Sequence, residues 1–133
     1  MSLITWNDSL SVGFEPIDEQ HRRLVELINK LHSAMAQGKG SQTLGSVLDG
    51  LIDYVQTHFA SEEAMMQINH YPGYAAQKSQ HIALTRQVLE LRSQFATGQT
   101  VITIDVMKFL KDWLVDHIQG SDKPLGAYLA ARA

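Results

Sequence analysis

Residues 44–65, LGSVLDGLIDYVQTHFASEEAM, decide the fold. Leu44, Leu48, Leu51, Val55, His58, Glu62 and Met65 recur at alternating steps of four and three, the period of a helix stripe packed against other helices. Two positions of that stripe do not suit a core. His58 and Glu62 stand where leucine would be expected, and as an i, i+4 pair they share one helix face and can address one cation. An ionised carboxylate is costly to bury unpaired, and the helical seams offer no Lys or Arg to meet Glu62.

The same period runs through the flanking sequence. Ile17, His21, Leu24, Ile28, Leu31 and Met35 form a first stripe, opened by Pro16, with Asp18 and Glu19 complementing the helix dipole. It closes at Gly38-Lys39-Gly40. A third stripe, Tyr74, Gln77, His81, Leu84, Val88, Leu91 and Phe95, follows the breaker cluster Asn69-His70-Tyr71-Pro72-Gly73 and ends near Gly98. Val106, Leu110, Trp113 and His117 form a fourth, closing at Gly120. Helices are thus predicted at about 16–37, 42–68, 73–97 and 103–119, with a weakly patterned short helix at about 123–131. Residues 1–15 read as an ordered arm anchored by Trp6 and Phe14. The stretch Thr100 to Ile104 reads as a connection rather than a strand. Together these features predict an all-α, antiparallel up-down-up-down four-helix bundle with an N-terminal arm and a short C-terminal helix, one domain over residues 1–133.

Direction then places the polar positions. His21 lies near the start of the first helix, His58 and Glu62 near the end of the second, Gln77 and His81 near the start of the third, and His117 near the end of the fourth. In an antiparallel bundle all of these meet at one end. Gln77 and His81 are a second i, i+4 pair. Asp122 follows His117 by five residues, about 140° away on a regular helix, so it is expected to turn inward through an interruption supplied by Gly120 and Pro124. His32 sits beside the seam position Leu31, and His70 lies in a breaker. Neither is expected to bind metal.

Composition narrows the chemistry. The chain has 133 residues, a formal charge of -3 and no cysteine. Thiolate-held clusters, zinc ribbons, disulfides and thiol catalysis are excluded. There is no basic footprint for nucleic acid and no apolar run approaching the ~20 residues of a bilayer span, and Met1 to Asp8 show no charged n-region followed by an apolar h-region, so no signal peptide is expected; a soluble cytoplasmic protein is expected, with no nucleic-acid or membrane partner. Imidazole with carboxylate suits iron, zinc or manganese. Two carboxylates among four imidazoles suit a dinuclear centre bridged by Glu62 and Asp122. The Glu-x-x-His pairs of ferritin-like sites are absent.

At these residues the chain resembles the haemerythrins, in particular the single-domain bacteriohaemerythrins. The resemblance is carried by Ile4-Thr5-Trp6 and Ser11-Val12-Gly13, Asp18-Glu19-Gln20-His21, His58-Phe59 with Glu62-Glu63, Tyr71-Pro72, His81, Asp112-Trp113-Leu114 to His117, and Asp122-Lys123. It implies a non-haem centre of two iron ions, oxo- or hydroxo-bridged, that binds O2 reversibly or takes a small anion. By position, His21 and His58 would hold the iron that takes oxygen, His81 and His117 the other, and Glu62 and Asp122 both. The family places a further histidine four residues before His81, where this chain has Gln77. That glutamine either ligates through oxygen or a water, or stands off and leaves an open position. Leu24, Phe59, Trp113, Leu114 and Ile118 are expected to wall the site with apolar surface, which excludes water. The leading expectation is O2 storage, delivery or sensing, without catalysis as the main role. The alternative is a di-iron enzyme processing O2, peroxide or nitric oxide through a site opened by Gln77. A signalling module using the metal as input is a third reading.

Overall fold

The structure, a computed structural model, describes residues 3–98 and 101–132. Met1 and Ser2 of the expected arm and Thr100 of the expected connection lie outside the described residues. Among the described residues five α-helices follow one another: α1 (Glu15–Ala36), α2 (Ser41–Ile68), α3 (Tyr74–Ala96), α4 (Ile104–His117) and α5 (Lys123–Arg132). Among the described residues there is no strand. No helix among the described residues is long and apolar enough to cross a membrane.

Helix ends follow from local chemistry. The amide of Lys39 donates to Ala34 O and that of Gly38 to Met35 O. This closes α1 with Gly38 in the left-handed region at φ 72°, where the missing Cβ removes the steric cost. The same pair of bonds closes α2, from Tyr71 to Met66 and His70 to Gln67, but there the left-handed residue is His70, at φ 54°. Thr103 caps α4 by accepting the amide of Val106, satisfying one of the free donors of the first turn.

Helix α2 occupies the middle of the fold, packing on α1 along one side and α3 along the other, while α4 packs on α1. The stripe of residues 44–65 is buried at Leu44, Leu48, Leu51 and Val55 and meets Leu24, Ile28 and Leu31 in one apolar core. Clefts of about 550 and 370 Å³ run between α3 and α4.

Trp6 and Phe14 pack against the core as expected, and further arm residues join them. Trp6 and Phe14 are only half-buried; Ile4, Leu10 and Val12 are the buried anchors. Trp6 also lies under the Arg22 guanidinium, whose Cζ is 5.1 Å from the ring centroid. Asn29 exchanges two hydrogen bonds with the peptide of Ile4. Asp18, expected only as a dipole partner, is buried and accepts from Val12 N at 2.8 Å and Ser11 Oγ at 2.6 Å.

The fourth helix does not close at Gly120. Ile118–Asp122 forms a π-helical turn that carries α4 into α5 without a break. Gly120 keeps an ordinary negative φ here and breaks nothing.

Candidate metal centre

The π turn explains Asp122. Hydrogen bonding from i to i+5 widens one turn of the helix, so the fifth residue after His117 comes round to the same face. Asp122 is fully buried at that point and reaches His117 Nε2 at 3.2 Å through Oδ1. The expected interruption of the helix is therefore corrected: a change of pitch, not a break, turns the carboxylate inward.

All seven expected residues come together at one end of the bundle. His21, His58, Glu62, Gln77, His81, His117 and Asp122 are each buried. The two carboxylates stand between two histidine pairs, one oxygen toward each. Glu62 Oε2 faces His58 at 3.3 Å and His21 at 3.7 Å, while Oε1 faces His81 at 3.1 Å and His117 at 3.9 Å. Asp122 Oδ2 lies 2.8 Å from His21 Nε2, and Oδ1 lies on the His117 side. Two donor groups result, His21, His58, Glu62 and Asp122, and Glu62, His81, His117 and Asp122; within each, the ligand atoms lie within 4.8 Å of one another.

The donors fit a cation. Nε2 of His58, His81 and His117 and both oxygens of Glu62 are buried without a hydrogen-bond partner. Native interiors rarely leave such atoms unsatisfied, and here they converge. His21 is the exception, its unpartnered atom being Nδ1 while Nε2 meets Asp122.

Charge is shared accordingly. Burial drives the His58 imidazole down, but the Glu62 charge and the contacts to Asp122 outweigh it and raise it to about 9. His117 is likewise lowered by burial and raised by Asp122 and Glu62, reaching about 9. Burial pushes Glu62 up, yet the His58 charge and hydrogen bonds from the surrounding imidazoles hold it well below the usual carboxylate range. Asp122 is raised by burial and by Glu62, and lowered more by His117, His21 and His58.

Further groups orient the rings. His58 Nδ1 donates to Gln20 Oε1 at 2.7 Å, and Gln20 Nε2 donates in turn to Ser61 Oγ. His81 Nδ1 donates to Glu63 Oε2 at 2.9 Å. Each bond commits Nδ1 as the donor and leaves Nε2 to face the centre, which is how such partners tune a metal-binding histidine. Sequence reasoning missed the roles of Gln20, Ser61 and Glu63. Two of them were signalled only by adjacency, Gln20 before His21 and Glu63 after Glu62. Gln77 turns its amide N–H toward the centre, its Nε2 donating to Asp122 Oδ1 at 2.6 Å.

The wall is apolar, as the helix spacing predicts. Leu24, Phe59, Trp113, Leu114 and Ile118 are all buried. Phe59 stacks on His81 at 4.0 Å and meets His117 edge-on at 5.4 Å. His32 is half-buried away from the centre, and His70 is exposed in its turn.

Comparison with known proteins adds to this geometry. The profile described as "Hemerythrin HHE cation binding domain" matches residues 12–129. A protein named bacteriohemerythrin from Methylococcus capsulatus is 40% identical over 98% of this chain and 100% of its own length. Another from Stenotrophomonas maltophilia is 38% identical over 92% of this chain and 79% of its own. A crystal structure of wild-type hemerythrin superposes with a TM-score of 0.90 at 37% identity, covering 97% of this chain and 99% of that one.

Proposed function

From the premise that the chain belongs to the haemerythrin family, we propose that it is a non-haem di-iron protein that binds O2 reversibly, for storage, delivery or sensing. One observation carries the reading: each of two buried carboxylates points one oxygen at each of two histidine pairs. Such a set holds two cations side by side. His21 and His58 would hold one iron, His81 and His117 the other, and Glu62 and Asp122 both. The irons, when bound, supply the electrons that reversible O2 binding requires.

The chain's own residues supply the rest. Gln20 and Glu63 fix two of the rings by their Nδ1 protons. Phe59, Leu114 and Ile118 keep water from the centre, and a dry wall slows loss of bound O2 in a reduced form. The cytoplasm is the proposed compartment.

The test is metal analysis with optical spectroscopy. About two irons per chain are expected, with near-ultraviolet charge-transfer bands that change reversibly between argon and air. Far less iron, or no reversible change, would sink the proposal.

A second reading, a di-iron enzyme processing O2, peroxide or nitric oxide, draws on the Gln77 amide, which binds Asp122 instead of offering a nitrogen ligand. Stopped-flow mixing of reduced protein with O2 separates the two. A long-lived, reversible spectrum favours carriage, and rapid irreversible oxidation favours chemistry.

A further inference from the structure

We propose that Gln77 is a positioning residue rather than a metal ligand, and that the metal held by His81 and His117 keeps one coordination position for a small exogenous anion. This rests on the dinuclear reading above and adds a second ligand-taking position to it.

Three observations support it. First, an ionised carboxylate is an acceptor only, so the 2.6 Å approach of Gln77 to Asp122 Oδ1 requires the amide N–H on that side. The oxygen it binds is the one facing His117. The amide is thereby committed to steering the shared carboxylate. Second, the buried atoms left without a partner, among the described residues, include Nε2 of His81 and His117 and both Glu62 oxygens, and none belongs to Gln77. The atoms awaiting a cation are on the histidines and the acids. Third, protein donors on this side number four: His81, His117, one Glu62 oxygen and one Asp122 oxygen. A first-row metal so held accepts further ligands.

Access comes from the same place. A cleft of about 170 Å³ reaches Gln77 from the surface, lined by Tyr71, Ala76, Gln80, Ser121 and Pro124. Its walls carry no carboxylate to repel an anion, and since none of His81, His117, Glu62 or Asp122 lines it, an anion entering here passes Gln77 to reach them. A linear triatomic anion fits such a volume.

The experiment uses the full chain loaded with Co(II), which needs no O2, and azide as the probe, followed by visible absorption and calorimetry. Two Co(II) and two azides per chain are expected. Q77H is expected to retain two Co(II) but bind one azide, because the new imidazole fills the position. Q77L, which has no donor atom, is expected to keep a count of two azides but to shift the visible Co(II) bands, because Asp122 Oδ1 loses its hydrogen bond; bands unmoved from the parent's overturn the steering role. One azide on the parent, or two on Q77H, overturns the inference. If Q77H does not fold, the parent count and Q77L decide: one azide on the parent overturns the inference, and so does a count on Q77L that differs from the parent's. Uptake of two Co(II) with no reversible O2 response of the iron form would defeat only the proposed function. Uptake of fewer than two defeats both readings, and the metal count shows it separately.

Discussion

Histidine and carboxylate hold one another's charge at this centre, and that pairing sets a pH dependence. His58 and His117 are raised to about 9. In protein stripped by a chelator, their protonation contributes stability that is complete below the unfolded histidine value of about 6.5 and is lost as pH rises through about 9. Glu62 and Asp122 are depressed, so their contribution is present above about pH 4.5 and is lost as pH falls. Stripped protein is expected to melt highest near pH 5 to 6.5, and lower by on the order of 5 °C at pH 9; a flat profile by circular dichroism would mean the rings stay neutral. The ring partners make a second prediction. Gln20→Ala removes the acceptor of His58 Nδ1, and metal affinity is expected to drop about 10- to 100-fold in a chelator competition; unchanged affinity would leave Gln20 without that role. His58 and Glu62 are legible in the sequence because both their spacing and their misfit to the stripe are local. Gln20 and Ser61 are not, because they meet only when α1 lies against α2, a contact no single-helix period encodes.

Helix termini carry the next scale. His70 closes α2 in a left-handed conformation, which costs a side-chain-bearing residue roughly 1 kcal/mol or more. Its side chain is exposed and takes no part in the centre. Replacing it with glycine is expected to raise stability by about 1 kcal/mol in urea unfolding; a loss instead would show that the imidazole holds the turn. Helix positions are readable from residues such as Leu48, Leu51 and Val55 because burial repeats with the helix period. The continuation of α4 into α5 is not, since Gly120 and Pro124 commonly mark an end and here do not. Whether a chain breaks or widens there depends on the buried carboxylate that the wider turn serves.

At the scale of the whole molecule, the arm, α5 and the metal end are tied into one unit. Tyr128 donates from α5 to Asn69 O at 2.8 Å, at the turn after α2, and the arm crosses α5 at Gly126. A Cβ there would sit 2.2 Å from Val12 O. Gly126→Ala therefore gains helix propensity yet is expected to destabilise by about 1–3 kcal/mol, as overpacking does, with faster proteolysis of residues 3–14. A more stable variant with an intact arm would contradict the close approach. That contact joins residues more than a hundred positions apart, so neither Val12 nor Gly126 announces it in sequence. The widened turn at Ile118–Asp122 also makes chain length locally forgiving. It contains one surplus residue relative to an α-turn, so deleting Gly120 would return ordinary pitch while the acid, then four places after His117, stays in phase. Metal content should survive that deletion. The same excision inside α4, at Lys108 for example, would rotate Ile104–Met107 by about 100° against the rest and throw Met107 out of the core. Indels are thus silent at one point of this helix and ruinous about three turns upstream.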